Sequence, residues 1–116
     1  MRVAVVGSRI LPRGDARCDS FLTCIMSYLN PSEIVSGGAK GADRLGELWA
    51  EERGIPIQQY LPDWDGMGKA AGFRRNVQIV DHADCVVAIW DGHSSGTKHT
   101  IDLTIASKKP LYLYKF

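Results

Sequence analysis

Three stretches of the chain concentrate residues that could hold an anion. They are Gly7-Ser8-Arg9, Ser36-Gly37-Gly38-Ala39-Lys40-Gly41-Ala42-Asp43 and Asp91-Gly92-His93-Ser94-Ser95-Gly96-Thr97. Each follows a short apolar run, and the last two lead into helical patterns. Glycine inside a chain costs conformational entropy, so backbone this bare calls for a reason. A glycine-rich turn lets backbone N–H groups approach an anion, and the helix that follows adds about half an elementary charge at its N-terminus. Arg9 and Lys40 would add full charges, and the hydroxyls of Ser8, Ser94, Ser95 and Thr97 further donors. Two such turns with Arg9 as a cationic clamp suit a phosphorylated ligand. The competing reading is that the glycines only make tight strand–helix turns.

Other positions join this set. Asn76 lies between Phe73 and Val80 in an apolar arc, where a polar group needs a partner. That partner is either a neighbouring carbonyl or a ligand. Arg75 points about 100° further round the same helix, so both could face one crevice edge. Arg74 reads as solvated. Asp43, in the first turn of its helix, could stabilise the helix dipole, bind a ribose hydroxyl or serve as a catalytic carboxylate. Trp64, within "LPDWDGMGK", could stack on a base or simply pack its loop down. Trp90 closes a strand at the crevice mouth and is a second stacking candidate. His93 and His99 read as surface histidines, and His82 is remote from them, so neither a metal nor a cofactor is expected.

The elements that must position these residues alternate. Arg2–Val6 is a short β-branched run, apolar on both faces and therefore a parallel strand. Asp15–Leu29 has helical periodicity through Cys18, Phe21, Leu22, Ile25 and Leu29, and Asn30-Pro31 stops it. Glu33–Val35 is a second strand. Gly41–Arg53 is a helix with a stripe of Ala42, Leu45, Leu48 and Trp49, ended by Gly54. Ile55–Tyr60 is a strand placed near an edge by Pro56. Leu61–Lys69 reads as a loop, and Ala70–His82 as a helix with Phe73, Val77 and Val80 inside. Cys85–Trp90 is the strongest strand, Thr97–Ser107 a helix and Leu111–Tyr114 the last strand. The order predicts an α/β fold: a Rossmann-like three-layer sandwich of about five parallel strands with helices on both faces. In such sheets ligands bind beyond the carboxyl ends of the strands, where all three stretches should open.

The chain has 116 residues, enough for a single domain over 1–116 and not for two. Its net charge of +1 argues against a dedicated nucleic-acid binder, which normally carries a basic excess. Its 3 cysteines, Cys18, Cys24 and Cys85, are odd in number and lack metal spacing, so they are expected to be reduced and mostly buried in a cytoplasmic protein. No run is long and apolar enough to span a membrane.

"VAVVGSR", "VSGGAKGAD", Arg75-Asn76, "ADCVVAIWDG" and "SSGT", in this order over nearly the whole chain, resemble the SLOG superfamily of Rossmann-like domains. The likeness is greatest to its small stand-alone YspA-like group. "GSR" and "SGGAKGAD" also resemble the core of the DNA-processing protein DprA. Arg75-Asn76 and "SSGT" sit where the Lonely Guy phosphoribohydrolases carry Arg-Lys and Pro-Gly-Gly-x-Gly-Thr-x-x-Glu. The resemblance implies a phosphate-binding shell of Gly7, Ser8, Arg9, Gly37, Gly38, Lys40, Gly41, Gly96 and Thr97, with Arg75 in place of the hydrolases' catalytic arginine. Thr100 stands where their catalytic glutamate does, with Asp102 nearby in the helix. The resemblance thus implies a binder of a nucleotide or nucleotide-derived signal, a sensor or sequestering protein in a setting of bacterial stress or phage defence, and a homo-oligomer. The alternatives are a nucleoside monophosphate phosphoribohydrolase, with Asp43, Asp91 or Asp102 replacing the glutamate, and a DprA-like single-strand binder, which the near-neutral charge disfavours.

Overall fold

The structure, a computed structural model, describes residues 1–11, 16–68 and 70–116, and of Met67 only the backbone. The elements are β1 (Arg2–Gly7), α1 (Arg17–Leu29), β2 (Glu33–Ser36), α2 (Ala42–Glu52), β3 (Ile57–Gln59), α3 (Trp64–Met67), α4 (Ala70–His82), β4 (Cys85–Trp90), α5 (Ser95–Ala106) and β5 (Leu111–Lys115). The strands form one parallel sheet in the order β3-β2-β1-β4-β5. The short β3 lies at an edge, as Pro56 predicts.

The alternation of strand side chains divides the core into two layers. Val3 and Val5 of β1 pack with Leu22 and Met26 of α1 and with Trp49 and Ala50 of α2. Ala4 and Val6 pack on the other face with Ile79 of α4 and Ile101 of α5. The expected three-layer α/β sandwich is therefore present. The chain builds outward from β1 to β3, then crosses to β4 and continues to β5. The β1/β4 boundary is consequently the switch point, and its carboxyl edge is formed by the residues after Gly7 and Trp90.

Two helices are rotated from their expected phase. On α4 the buried residues are Ala71, Asn76, Ile79 and Val80, while Phe73 is 55% and Val77 40% exposed. On α2 they are Ala42, Asp43, Gly46, Glu47, Trp49 and Ala50, and Leu48 is 41% exposed. The reason is close approach. A Cβ at Gly46 would lie 2.6 Å from the Cβ of Val5, so the small-residue side of α2 faces β1 and Leu48 turns outward. The charge this buries is paired: Glu47 accepts from Gln59 Nε2 at 2.7 Å and from Arg44 at 3.3 Å. The "LPDWDGMGK" stretch holds the short α3, whose cap is Asp63 accepting from the Gly66 amide at 2.9 Å. Helix α5 starts at Ser95, before Thr97, and β5 runs one residue past Tyr114. The expected start of α1 at Asp15 lies outside the described residues. Cys18 and Cys85 are buried, Cys24 is exposed, and none of the three is in a disulfide.

Candidate functional site

The carboxyl edge is assembled by short tethers between strand ends. The Ser8 amide donates to Ile89 O at 2.9 Å, and the Ala42 amide donates to Ser8 O at 3.1 Å. These bonds pull the β1 end against α2. Gly41 stands at that junction with φ +74, and a Cβ there would run into the backbone of Ser8 and Arg9. The Ser8 hydroxyl, itself buried, accepts from the Asp91 amide at 3.0 Å and shares a 3.1 Å hydrogen bond with Ser94 Oγ. Ser8 is thus a fastener between loops.

The loop after β2 has an inward-looking geometry. Asp43 Oδ2 accepts from the Gly37 amide at 3.2 Å and the Ala39 amide at 3.3 Å. The Gly38 amide donates to Ser36 Oγ at 3.1 Å. The position an anion could take on these amides is filled by the chain's own carboxylate. Gly37 is bare because a Cβ there would collide with the Arg75 guanidinium and the Asp43 carboxylate. Arg75 donates through Nη1 to Gly37 O at 2.8 Å and through Nε to Asn76 Oδ1 at 3.1 Å. Asn76 Nδ2 reaches Gly96 O at 3.3 Å and His99 Nδ1 at 3.1 Å. One polar chain therefore runs from the α2 cap through α4 into α5.

The third loop is capped by Asp91, whose Oδ1 accepts from the His93 and Ser94 amides, each at 2.8 Å. Those two amides, and then the Ser94 and Ser8 hydroxyls, hold its pKa down at about 2. Asp91 is committed to the entry of α5. The first-turn amides of a helix lack intrahelical partners, so Ser95, Gly96 and Thr97 present donors where α5 begins.

Between these loops lies a crevice of about 470 Å³, within the range of small-molecule sites. Of the expected residues, Gly7, Arg9, Asp43, Trp64, Arg75, Asn76, Asp91, Ser94, Ser95, Gly96 and Thr97 line it. Ser8, Gly37, Gly38, Lys40, Gly41 and Trp90 are not on its wall. Lys40 is exposed. Trp90 donates from Nε1 to Ser94 O at 3.1 Å and lies under Lys115 Nζ, 5.9 Å from the ring centroid, so it braces the third loop. Trp64 is 51% exposed and rests over Gly72 at the crevice rim.

A model of the YAcAr family, described as the YspA, cpYpsA-related SLOG family, matches residues 1–66, from β1 into α3. The chain belongs to this SLOG family. It is also similar to the Gene 61 protein of Mycobacterium phage D29, 32% identical over 104 residues that cover 84% of this chain and 83% of that protein. No solved structure matches the chain.

The electrostatics of this SLOG protein's crevice set its chemistry. Burial lowers the pKa of Arg75 from the usual arginine value, Asp43 raises it, and the nearby Arg9 lowers it again. Arg9 and Arg75 are therefore like charges in one crevice. Asp43 answers them incompletely: burial raises it to about 6 against the pull of the Ala39 amide, Arg75 and the Gly37 amide. Of the residues expected to stand in for the hydrolases' glutamate, Asp43 and Asp91 line the crevice and Asp102 does not. Asp102 is exposed and paired with Lys98 Nζ at 2.8 Å, and Thr100 is buried with its hydroxyl donated to Gly96 O at 3.2 Å. Among the described residues no cluster of His, Cys, Asp and Glu could hold a metal ion, and no helix is long and apolar enough to cross a membrane.

Sequence reasoning missed two contributors. Phe73 was expected inside and instead lines the crevice, its ring edge-on to His99 at 4.7 Å between centroids. His99, expected at the surface, is half-buried and bonded to Asn76. The phase error on α4 hid the first, and no local signal marks the second, whose partner lies 23 residues away.

Proposed function

We propose that the protein binds a nucleotide or nucleotide-derived ligand in the crevice at the β1/β4 switch point, as a sensor or sequestering protein of the cytoplasm. The observation that carries this reading is the charge arrangement. Arg9 and Arg75 line a crevice of about 470 Å³ together with the first turn of α5. Asp91 is turned to the amides before α5 and Asp43 to the loop after β2, so two arginines beside a helix N-terminus are left to favour an anion, and charge-assisted bonds from arginine suit phosphate oxygens. The apolar rim of Trp64 and Phe73 suits a planar base. Family membership supports a nucleotide-related role in general terms. Calorimetric titration with mono-, di- and cyclic nucleotides tests the reading, with native mass spectrometry of protein purified from cells to detect a retained ligand. A bound nucleotide whose affinity falls at least about tenfold in both Arg9→Ala and Arg75→Ala supports it. Absence of any bound nucleotide in both measurements overturns it. A homo-oligomer is part of the proposal, and sedimentation of the purified protein tests it.

One observation favours a second reading, an N-glycosidic phosphoribohydrolase acting on nucleoside monophosphates. Asp43 is a buried carboxyl with a pKa of about 6 beside an arginine, in the range suited to acid–base work near neutral pH. Chromatography of nucleoside monophosphates after incubation decides between the two. Free base at an enzymic rate that disappears in Asp43→Asn would select the hydrolase.

A further inference from the structure

The geometry points to Asn76 and His99 as positioning residues for Arg75, with His99 acting only as the neutral imidazole protonated on Nε2. This rests on the crevice being the ligand site. The amide of Asn76 can be oriented in one way. Arg75 Nε is a donor and Gly96 O is an acceptor, so Oδ1 must face the arginine at 3.1 Å and Nδ2 the carbonyl at 3.3 Å. The second hydrogen of Nδ2 then points at His99 Nδ1, 3.1 Å away. Nδ1 must accept, which places the ring's proton on Nε2.

A second proton on the ring would set an N–H against the Asn76 NH2 group. Either the ring leaves, or the amide turns and releases both Arg75 and Gly96. The Phe73 ring packed on the imidazole limits the first course. Buried polar chains of this kind stand or fall together. Protonation of His99 and retention of Arg75 against Gly37 O therefore oppose one another, and a ligand held by Arg75 binds less well as the imidazole charges. The charged groups around the chain are Arg75 with its neighbour Arg9, Asp43 on α2, and the Lys98–Asp102 pair on the His99 helix, joined at 2.8 Å. Asp43 also titrates as the pH falls, with a pKa of about 6, so a pH profile of the parent alone would not isolate His99.

His99→Asn does isolate it, because asparagine offers an acceptor near the Nδ1 position and carries no proton equilibrium. NMR of the ligand-free protein is the first arm, run between about pH 8 and pH 5, where imidazoles titrate. Long-range nitrogen–proton spectra should show His99 as the Nε2–H tautomer when neutral. The side-chain Nε–H shift of Arg75 should sit at its hydrogen-bonded position at high pH, move toward the free value as His99 charges, and stay in place in His99→Asn. An Nδ1–H tautomer, or an Arg75 signal indifferent to the charge on His99, overturns the inference. The parent alone decides this arm should the variant not fold. The second arm is the affinity for adenosine monophosphate at about pH 8 and pH 5, the same span as the first. The parent should lose roughly fivefold more than His99→Asn, the scale of one hydrogen bond. Equal losses overturn the inference. If neither protein binds the nucleotide at any pH, the proposed function is what weakens, and the NMR arm still decides the network.

Discussion

Asp43→Asn distinguishes two descriptions of the buried carboxyl. In one, burial dominates and the group sits at about 6 against an ordinary value of 3.8. In the other, Arg75 and the loop amides dominate and it behaves as an ion-paired carboxylate. On the first description the folded chain keeps a proton on Asp43 that the unfolded chain has already released at the same pH. Folding stability is then lost as pH rises from about 4 to about 6. At about 1.36 kcal/mol for each pH unit, the shift from 3.8 to about 6 amounts to about 3 kcal/mol as an upper bound. An asparagine at this position can still accept from the Gly37 and Ala39 amides and has no charge to bury. Relative to the parent, the variant should therefore gain between about pH 4 and pH 6 and level off above, by roughly 12 °C at most for a chain of this size. Melting temperatures of both proteins at closely spaced pH values supply the readout. A difference that stays constant over the range would refute the burial argument. A parent that gains on the variant with rising pH would show that the arginine wins.

Asp91 makes the opposite contribution: its pKa is depressed to about 2, so its stabilisation is present above the ordinary 3.8 and disappears as pH falls through about 2. Asp91→Ala should lower the melting temperature at neutral pH and match the parent near pH 2. Arg9→Ala should weaken nucleotide binding by about tenfold, while Lys40→Ala, off the crevice wall, should change it less than about twofold by calorimetry. Gly46→Ala gains up to about 1 kcal/mol of helix propensity, but forces a methyl to 2.6 Å from Val5 Cβ in the core. Overpacking should win, with a net loss of about 1–3 kcal/mol in urea unfolding.

The sheet was legible because its strands are short β-branched runs separated by helical periods. Arg2–Val6 and Cys85–Trp90 cannot be amphipathic, so two-sided burial and parallel order follow. Helix rotation was less legible. Hydrophobic weight placed Phe73, Val77 and Leu48 inward, whereas close contact selects small residues, and Ala71 and Gly46 took those places. The same effect concealed the polar interior of α2, since Asp43 and Glu47 follow the Gly46 face and each is stabilised by partners distant in the fold or on an adjoining loop. For the site, strand ends and loop order located the crevice and most of its wall. Which groups point inward depends on bonds such as Asp43 to the Gly37 amide, and residue types do not encode these.

That bond changes what the glycine-rich loop is for. A phosphate on the Gly37 and Ala39 amides would have to displace the Asp43 carboxylate, which also faces Arg75. Displacement would leave a buried charge without its donors, so the displacing anion must make up that loss first. At the entry of α5 the situation differs. Asp91 takes the His93 and Ser94 amides that precede the helix and leaves the donors of its first turn without an intrahelical partner. The bare backbone of Gly37 then accommodates Arg75, whose guanidinium occupies the space a side chain would fill. The loop holds a cation in place, and in the proposed site the helix opposite would offer an anion its donors. On this account the loss of anion affinity in a Gly37→Ala variant comes through Arg75. Calorimetry of Gly37→Ala, Arg75→Ala and the double variant reads it directly. The double variant should bind no worse than Arg75→Ala alone, since both changes remove the same contact. Additive losses would return Gly37 to the ligand's own shell.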